Sequence, residues 1–326
     1  MSASSTRPLF SRFPGNVIAK PPCRMTNANM YGFFVKGDTS TIQTYLDETL
    51  NSVSDVADND DQDSRANYEC LSPYVLLTFT DIQNIASLAP GFAEQGSMQE
   101  TDIIIWLPVA KMLKGKVDHV YWYPAFICVN NIYALINGIN TWGYNKYLCE
   151  YTMPDLGAEP DKFSITVDAF QPFTPETKMA DHLLMEVKKV RDGSGNKVTG
   201  FVELVKEAFT LLSSEKSFFN MDIHALKQLL DGFKDPQMDQ ILFKQFPDGE
   251  GVNAVYQGVM HSPSIIKKVH SAQIYGHEYD VTLHQVDTFR LDQAFGIPLG
   301  TQRALLPFNV VMDFDQEAAF ALAETN

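Results

Sequence analysis

The sequence predicts an α+β fold dominated by antiparallel sheet. Short runs of β-branched and aromatic residues recur along the whole chain between turn residues, helical periodicity is confined to a few brief segments, and no apolar run approaches the roughly 20 residues of a membrane helix. The 326 residues exceed the usual size of a domain, but a large barrel or an elaborated α+β unit reaches that length. No internal repeat and no clear linker divides the chain, so a single domain over residues 1–326 is expected. A hydrophobic fraction of 45% with 20% charged residues gives it a sizeable core.

Residues 1–20 mix Ser, Arg and Pro without the apolar stretch of a secretory leader and read as a loose arm. Met30 to Lys36 suits a strand, and Thr39 to Asn51 places Ile42, Tyr45, Leu46 and Leu50 at helical spacing. Ser52 to Arg65 is acidic and poor in large apolar residues, as a solvated loop is. Tyr74 to Phe79, Ile103 to Val109 and Val120 to Val129 read as buried strands, broken by Gly and Ser turns around Pro90 to Ser97. Asn130 to Gly138 opens on cap-type Asn and ends in glycine, the signature of a short helix. Phe163 to Phe170, Leu183 to Val190 and Val198 to Leu204 look like strands, the last two joined by Arg191 to Lys197 as a hairpin. Between Ser213 and Lys234 the residues Phe218, Phe219, Ile223, Leu226, Leu229, Leu230 and Phe233 form a helical stripe, so residues 191–234 read as a hairpin and helical insertion. The tail from Tyr279 to Ala321 returns to sheet.

A formal net charge of −15 excludes the basic stripe that nucleic acid requires and argues equally against docking on anionic lipid. Cys23, Cys70, Cys128 and Cys149 are widely spaced without a C-x-x-C pair, which indicates neither a disulfide framework nor a zinc site and suits the cytoplasm. Nucleotide-binding, Ser-hydrolase and zincin patterns are missing, and the seven histidines stand singly, so no cofactor or metal is expected.

One segment stands out: Gly138-Ile-Asn-Thr-Trp-Gly-Tyr-Asn-Lys-Tyr147 carries a helix end through a glycine turn into an aromatic strand with one lysine. Trp142, Tyr144 and Tyr147 flank Lys146, and apolar surroundings disfavour the ammonium form of an amine. A free lysine with a pKa near 10.4 is neutral in about one molecule in two thousand at pH 7, a cost of roughly 4.6 kcal/mol before it attacks a carbonyl. Desolvation can remove much of that cost, which makes Lys146 the candidate nucleophile.

The run Val129 to Lys146 (VNNIYALINGINTWGYNK) resembles a segment of the acetoacetate decarboxylase family in which a strand ends in Leu-Asp, a short helix ends in Gly-Arg-Glu, and Tyr-Pro-Lys-Lys follows. The gap from Gly138 to Lys146 matches without insertion. Asp102, six residues before Pro108-Val109, is similar to the family's Glu ahead of an Ile-Pro-Val strand, and Val35-Lys-Gly-Asp38 with Leu46 and Leu50 resembles its helix entry. Gln240 to Pro247 and Phe289 to Leu299 resemble its C-terminal half. The resemblance implies a double-layered, cone-like antiparallel β-structure with peripheral helices, assembled as a homo-oligomer, and a Schiff base between a lysine and a β-keto acid.

The sequence departs from the family at the reacting groups. Asn145-Lys146-Tyr147 replaces Pro-Lys-Lys, so the activating second lysine is missing and activation falls to apolar burial. Gly138-Ile139-Asn140 replaces Gly-Arg-Glu, the substrate-side arginine falls on Ala28, and one of two acids falls in the apolar run around Val75 and Leu76. The implied pocket is less charged and more aromatic, for a carbonyl compound larger or less acidic than acetoacetate. In it Lys146 would be the nucleophile, Asp102 a proton shuttle or polar anchor, and Tyr144, Asn145, Tyr147, Trp142, Phe126 and Cys128 the substrate-binding set. Two readings stay open: a Schiff-base lyase, extending to aldolase, dehydratase or cyclase chemistry, and a non-covalent binder of a hydrophobic small molecule.

Overall fold

The computed structural model describes residues 9–11, 19–54, 66–155, 157–193, 197–198, 200–213 and 237–325. Seven long strands close a ring: β1 (Cys23–Lys36), β3 (Tyr74–Ser87), β4 (Met98–Leu113), β5 (Lys116–Val129), β11 (Gln237–Pro247), β12 (Ala254–Ile274) and β15 (Leu305–Gln316). Their order is β4-β3-β1-β15-β12-β11-β5, and β5 pairs back onto β4 along its length. Every junction is antiparallel except β11 to β5, a single parallel bridge between Gln240 and Trp122. Closure leaves the ring no free edge, so its interior is a space that side chains must fill or leave for a ligand.

Four short strands attach to this ring: β2 (Asn67–Cys70) on β4, β6 (Lys146–Leu148) parallel to β5, and both β10 (Lys197–Val198) and β16 (Phe320–Glu324) on β12. A second, antiparallel sheet covers one outer flank, in the order β14 (Gly300–Arg303), β13 (Glu278–Leu283), β9 (Ala180–Arg191), β8 (Lys162–Ala169), β7 (Glu150–Thr152). One core cluster spans both layers: Phe163 of β8 sits about equally close, 5.1–5.2 Å between ring centroids, to Tyr31, Phe33 and Phe79. This double layer is why Ile103 to Val109 reads as an unbroken apolar run. Ile103, Ile105, Leu107 and Val109 pack in that core, while Ile104 and Trp106 face the interior of the ring.

Helix α1 (Thr39–Glu48) is capped by Asp38, which accepts from the backbone N–H of Thr41, and buries Ile42 and Leu46 as the periodicity predicts. Helix α2 (Leu50–Ser54) takes up the first residues assigned to the acidic loop; residues 55–65 lie outside the described ones. Helix α3 (Ile132–Asn137) starts at Asn131, whose side chain accepts from Tyr133 and Ala134.

Two expectations are corrected. Leu183–Val190 and Val198–Leu204 form no hairpin: β9 pairs with β8 and β13, Lys197 and Val198 pair with β12, and Phe201–Leu212 is helix α4. The apolar residues Phe201, Leu204, Val205, Ala208, Phe209 and Leu212 recur at helical spacing, a period that a window closed at Leu204 hides. Nor is the end of the N-terminal arm loose. Ala19 donates its backbone N–H to Asn137 Oδ1, and the Ser87 hydroxyl donates to the Lys20 carbonyl. The helical stripe after Ser213 lies outside the described residues.

Candidate active site

The interior of the ring holds a hollow of about 950 Å³, counting its open mouth, to which all seven ring strands contribute. Met25, Ile82, Met98, Ile104, Trp106, Ile127, Met238, Ile266, Met312 and Phe314 make its walls largely apolar. Lys146 enters from β6, which lies against β5 with Lys146 opposite Ile127.

The chain reaches that position through a tight turn. After α3 the backbone makes a π-turn over Gly138–Trp142 and reverses at Gly143, whose φ of 93° is a left-handed conformation that favours glycine. The Lys244 ammonium caps the turn by donating to the carbonyls of Asn140 and Thr141, and the Trp142 indole donates to the Glu317 carbonyl. Gly138 makes room for the lysine stem: a Cβ there would lie 2.7 Å from Lys146 Cδ and 2.8 Å from Cε.

Lys146 Nζ donates to Glu100 Oε1 at 2.6 Å and to Asp102 Oδ1 at 3.2 Å, and lies 5.6 Å from the centre of the Tyr144 ring. The side chains are 7%, 4% and 17% exposed for Lys146, Glu100 and Asp102. Glu100 and Asp102 are two residues apart on β4, so the strand's period of two points both carboxyls to one face. Burial, reinforced by the charge of Asp102, pushes the Glu100 carboxyl up to about 8. Burial pulls the Lys146 ammonium down, but Asp102 and Glu100 outweigh it and hold the amine well above the ordinary lysine value.

This overturns the expected activation by apolar surroundings alone. The amine sits in the hollow, but two carboxyls hold it charged. Glu100 is the residue the sequence reading missed. Its signal was the alternation Glu100-Thr-Asp102 at the head of an apolar strand, which puts two acids on one face.

The six further predicted residues divide between the two sides of the wall. Trp142 and Tyr144 line the hollow with Lys146 and Asp102, and the Tyr144 hydroxyl donates to Gln240 Oε1 at 2.8 Å. Tyr147 and Phe126 lie on the opposite face, stacked at 5.5 Å, with Phe289 against Tyr147 at 5.0 Å. Cys128 packs in the same outer core, and Asn145 donates its amide to the Ala125 carbonyl to fasten β6. The assignment of Asn145, Tyr147, Phe126 and Cys128 to the pocket is therefore corrected. Neighbours in a strand face opposite ways, so proximity in sequence to Lys146 placed Tyr147 on the wrong side.

Other pocket polar groups come from strands distant in sequence. Gln240 donates to Ser264 and Gln316, and Gln316 donates to Ser262, which makes a buried amide and hydroxyl network on the wall facing Tyr144. Among the described residues, Glu159, Asp192 and His277 bring potential metal-ligand atoms within 4.8 Å of one another. Lys189 ion-pairs with both of those carboxylates, at 2.7 and 3.0 Å, and so occupies the place of a cation.

No protein-family model matches the sequence, and no curated protein matches it. Solved structures do. Acetoacetate decarboxylase from Legionella pneumophila subsp. pneumophila str. Philadelphia 1 superposes with a TM-score of 0.60 at 12% identity, covering 99% of this chain and 94% of that one. The chain has the acetoacetate decarboxylase fold. An acetoacetate decarboxylase-like enzyme from Sphingomonas wittichii RW1 gives a TM-score of 0.54 at 11% identity, covering 93% of this chain and 94% of its own. The enduracididine biosynthesis enzyme MppR complexed with pyruvate gives 0.52 at 10% identity, covering 94% and 92%. The expected mostly antiparallel, double-layered structure is thus the observed one, and no helix among the described residues is long and apolar enough to cross a membrane.

Proposed function

We propose that this chain is an enzyme acting on the carbonyl group of a mainly apolar small molecule, with Lys146 as the residue that meets the carbonyl. The observation that carries this reading is the amine itself. Among the described residues lining the hollow it is the only cation, and it stands within 3.2 Å of two carboxyls in an otherwise apolar, methionine-rich space. A carbonyl ligand also suits the neighbour MppR, which is complexed with pyruvate.

The three groups form a proton store. With Glu100 protonated, Lys146 and Asp102 carry one positive and one negative charge that cancel. Transfer of one proton from Lys146 to Asp102 leaves all three neutral without changing the net charge, and a substrate that expels water favours that form. The freed amine attacks the carbonyl carbon, a carboxyl proton goes to the carbonyl oxygen, and the carboxylate left behind takes the proton shed by the nitrogen, to give a carbinolamine. Protonation of its hydroxyl by the second carboxyl releases water and leaves an iminium. The iminium takes up the electron pair of a bond at the adjacent carbon, to a carboxylate, a proton or an aldol fragment. Protonation of the resulting enamine and hydrolysis return the amine.

A second reading is favoured by the raised affinity of Lys146 for its proton. In it the ammonium stays charged, donates a hydrogen bond to the carbonyl oxygen, and a carboxylate removes the adjacent proton without a covalent bond. Borohydride trapping separates the two. A ketone and borohydride should add the reduced ligand's mass to wild-type protein and not to Lys146→Met. Exchange of the ketone's α-hydrogens without any adduct supports the second reading, and neither adduct nor exchange across a ketone panel removes the enzyme proposal.

A further inference from the structure

Among the described residues, strand parity leaves the hollow three ionisable groups that can carry charge near neutral pH: Lys146, Glu100 and Asp102. The other titratable side chains on its wall, Cys23 and Tyr144, are kept neutral by burial, which raises both. The ring strands carry further charges, but these point outward. Arg24, between the lining residues Cys23 and Met25 of β1, pairs with Asp315, which stands between the lining residues Phe314 and Gln316 of β15 and also takes Lys267. Asp239, between the lining residues Met238 and Gln240 of β11, has an imidazole nitrogen of His119 and one of His261 each at 2.8 Å.

The inner charges leave nothing over for a ligand anion. Lys146 Nζ meets Glu100 at 2.6 Å and Asp102 at 3.2 Å, and with Glu100 protonated the cluster is neutral. The proposed chemistry adds a constraint of reach. Once the carbonyl carbon of a β-keto acid is bonded to Nζ, its carboxylate carbon is three bonds from that nitrogen, about 4 Å at most. The carboxylate would be desolvated within a few ångströms of both protein carboxyls, with no arginine or second lysine among the described lining residues to meet it. An uncharged group on the same carbon carries no such cost, and the methionines Met25, Met30, Met98, Met238 and Met312 adapt to a hydrocarbon body.

We propose that the hollow takes uncharged carbonyl compounds and rejects those that carry a carboxylate, β-keto acids included. This deepens the proposed function by naming its substrate class, and it rests on that reading of Lys146. The bond broken beside the iminium is then one to hydrogen. The proton passes to a carboxylate of the cluster, the C–H electron pair forms the enamine double bond, and the C=N pair returns to nitrogen. An enamine made this way adds to an aldehyde or expels a β-hydroxyl as water, without loss of carbon dioxide.

Calorimetry on the full chain with two ligands of one shape tests this: benzoylacetamide, which is neutral, and benzoylacetate, its carboxylate isostere. Wild type should bind the amide at least about tenfold more tightly at pH 7. Affinity for benzoylacetate should fall further between about pH 6 and pH 8, because the anion's charge is met by a proton taken onto a carboxyl, while affinity for the amide should change little. Glu100→Gln with Asp102→Asn keeps Lys146 and removes both acids, and should shift the ratio toward benzoylacetate by at least about tenfold. If that double variant fails to fold, the wild-type ratio and its pH dependence still decide.

Equal or tighter binding of benzoylacetate by wild type, a measurable affinity for it that holds constant across that pH range, release of carbon dioxide from it faster than in buffer alone, or an unchanged ratio in a folded double variant would each overturn the assignment. Borohydride trapping of benzylacetone, a ketone with no second functional group, reports on the Lys146 chemistry separately. Failed trapping with the amide preference intact removes the covalent step and leaves the selection, and successful trapping with benzoylacetate preferred does the reverse.

Discussion

Two lysines of this protein each gather several carboxyls, and the contrast between them shows what a cavity adds. Lys189 on β9 meets Glu159, Asp161 and Asp192 at 2.7, 2.6 and 3.0 Å, and all three carboxylates are more than half exposed. Its partners hold its proton more tightly, and Lys189 in turn holds Asp192 below the ordinary carboxylate range. Water shares the work there, and Asp192 keeps its charge to lower pH than usual. Lys146 meets only two carboxyls, yet Glu100 moves the opposite way, up to about 8, because burial outweighs the neighbouring ammonium. An exposed cluster shares its charges with water, whereas burial makes one carboxyl of the inner cluster hold its proton to higher pH.

The sharpest way to break this comparison is to delete the buried cation. Lys146→Met leaves Asp102 beside a protonated Glu100 without the cation that matches its charge, and breaking a buried pair from one side costs about 3–5 kcal/mol. Urea denaturation at neutral pH should show a loss of that size, and adding Glu100→Gln and Asp102→Asn should recover part of it. A single substitution that costs nothing would mean that water screens the cluster.

Next in size is Gly138→Ala. The residue is helical, with φ −59° and ψ −49°, so alanine suits the backbone, but its methyl would meet the Lys146 stem at 2.7 Å. A flexible side chain yields, so the protein should fold with a near-normal Tm and a displaced amine. Since misplacement by about 1 Å can cost roughly a hundredfold in rate, borohydride-trapped adduct should form about a hundredfold more slowly. Trapping at the wild-type rate would show that the stem has room to spare.

Glu100→Gln gives a smaller effect, read against pH. Glu100 has its folded value near 8 against an ordinary 4.5, so between those values the folded state keeps a proton that the unfolded chain has released. Stability therefore falls as pH rises through that window. Lys146, raised by its partners, adds stability that persists below the ordinary lysine value and is lost only in strong alkali. The Gln variant should flatten the denaturation profile between about pH 5 and pH 8. Parallel profiles would place the Glu100 proton elsewhere.

Much of this was legible in the sequence, for reasons that can be located. The ring strands announce themselves because β-branched and aromatic runs such as Ile103 to Val109 have one local solution, a strand buried on both sides. The turn carrying Lys146 was legible because Asn131, Gly138 and Gly143 fix it by capping and backbone geometry. What the sequence hid depends on closure of the ring. Glu100 becomes a partner of Lys146 only when β4 and β5 pair, which brings together residues 46 positions apart. The wall of Gln240, Ser264 and Gln316 assembles from three strands of the C-terminal half. Asn145 and Tyr147 were misplaced because nearness to Lys146 along the chain was allowed to outrank strand parity, and Phe126 and Cys128 because they flank Ile127, the partner of Lys146, and so point to the opposite face of β5.

The smallest expected effect belongs to the exposed cluster. Lys189→Ala removes the cation shared by three carboxylates, on paper a larger loss than Lys146→Met. Water and salt solvate the released acids, so the denaturation midpoint should barely move at physiological ionic strength and should fall slightly only at low salt, where like charges repel over a longer range. His277 lies 3.6 Å from both Glu159 and Asp192 and remains beside them when the lysine is removed. A loss comparable to that of Lys146→Met would show that the flanking sheet screens its charges as poorly as the interior of the ring does, and that the cavity alone does not explain what sets Lys146 apart.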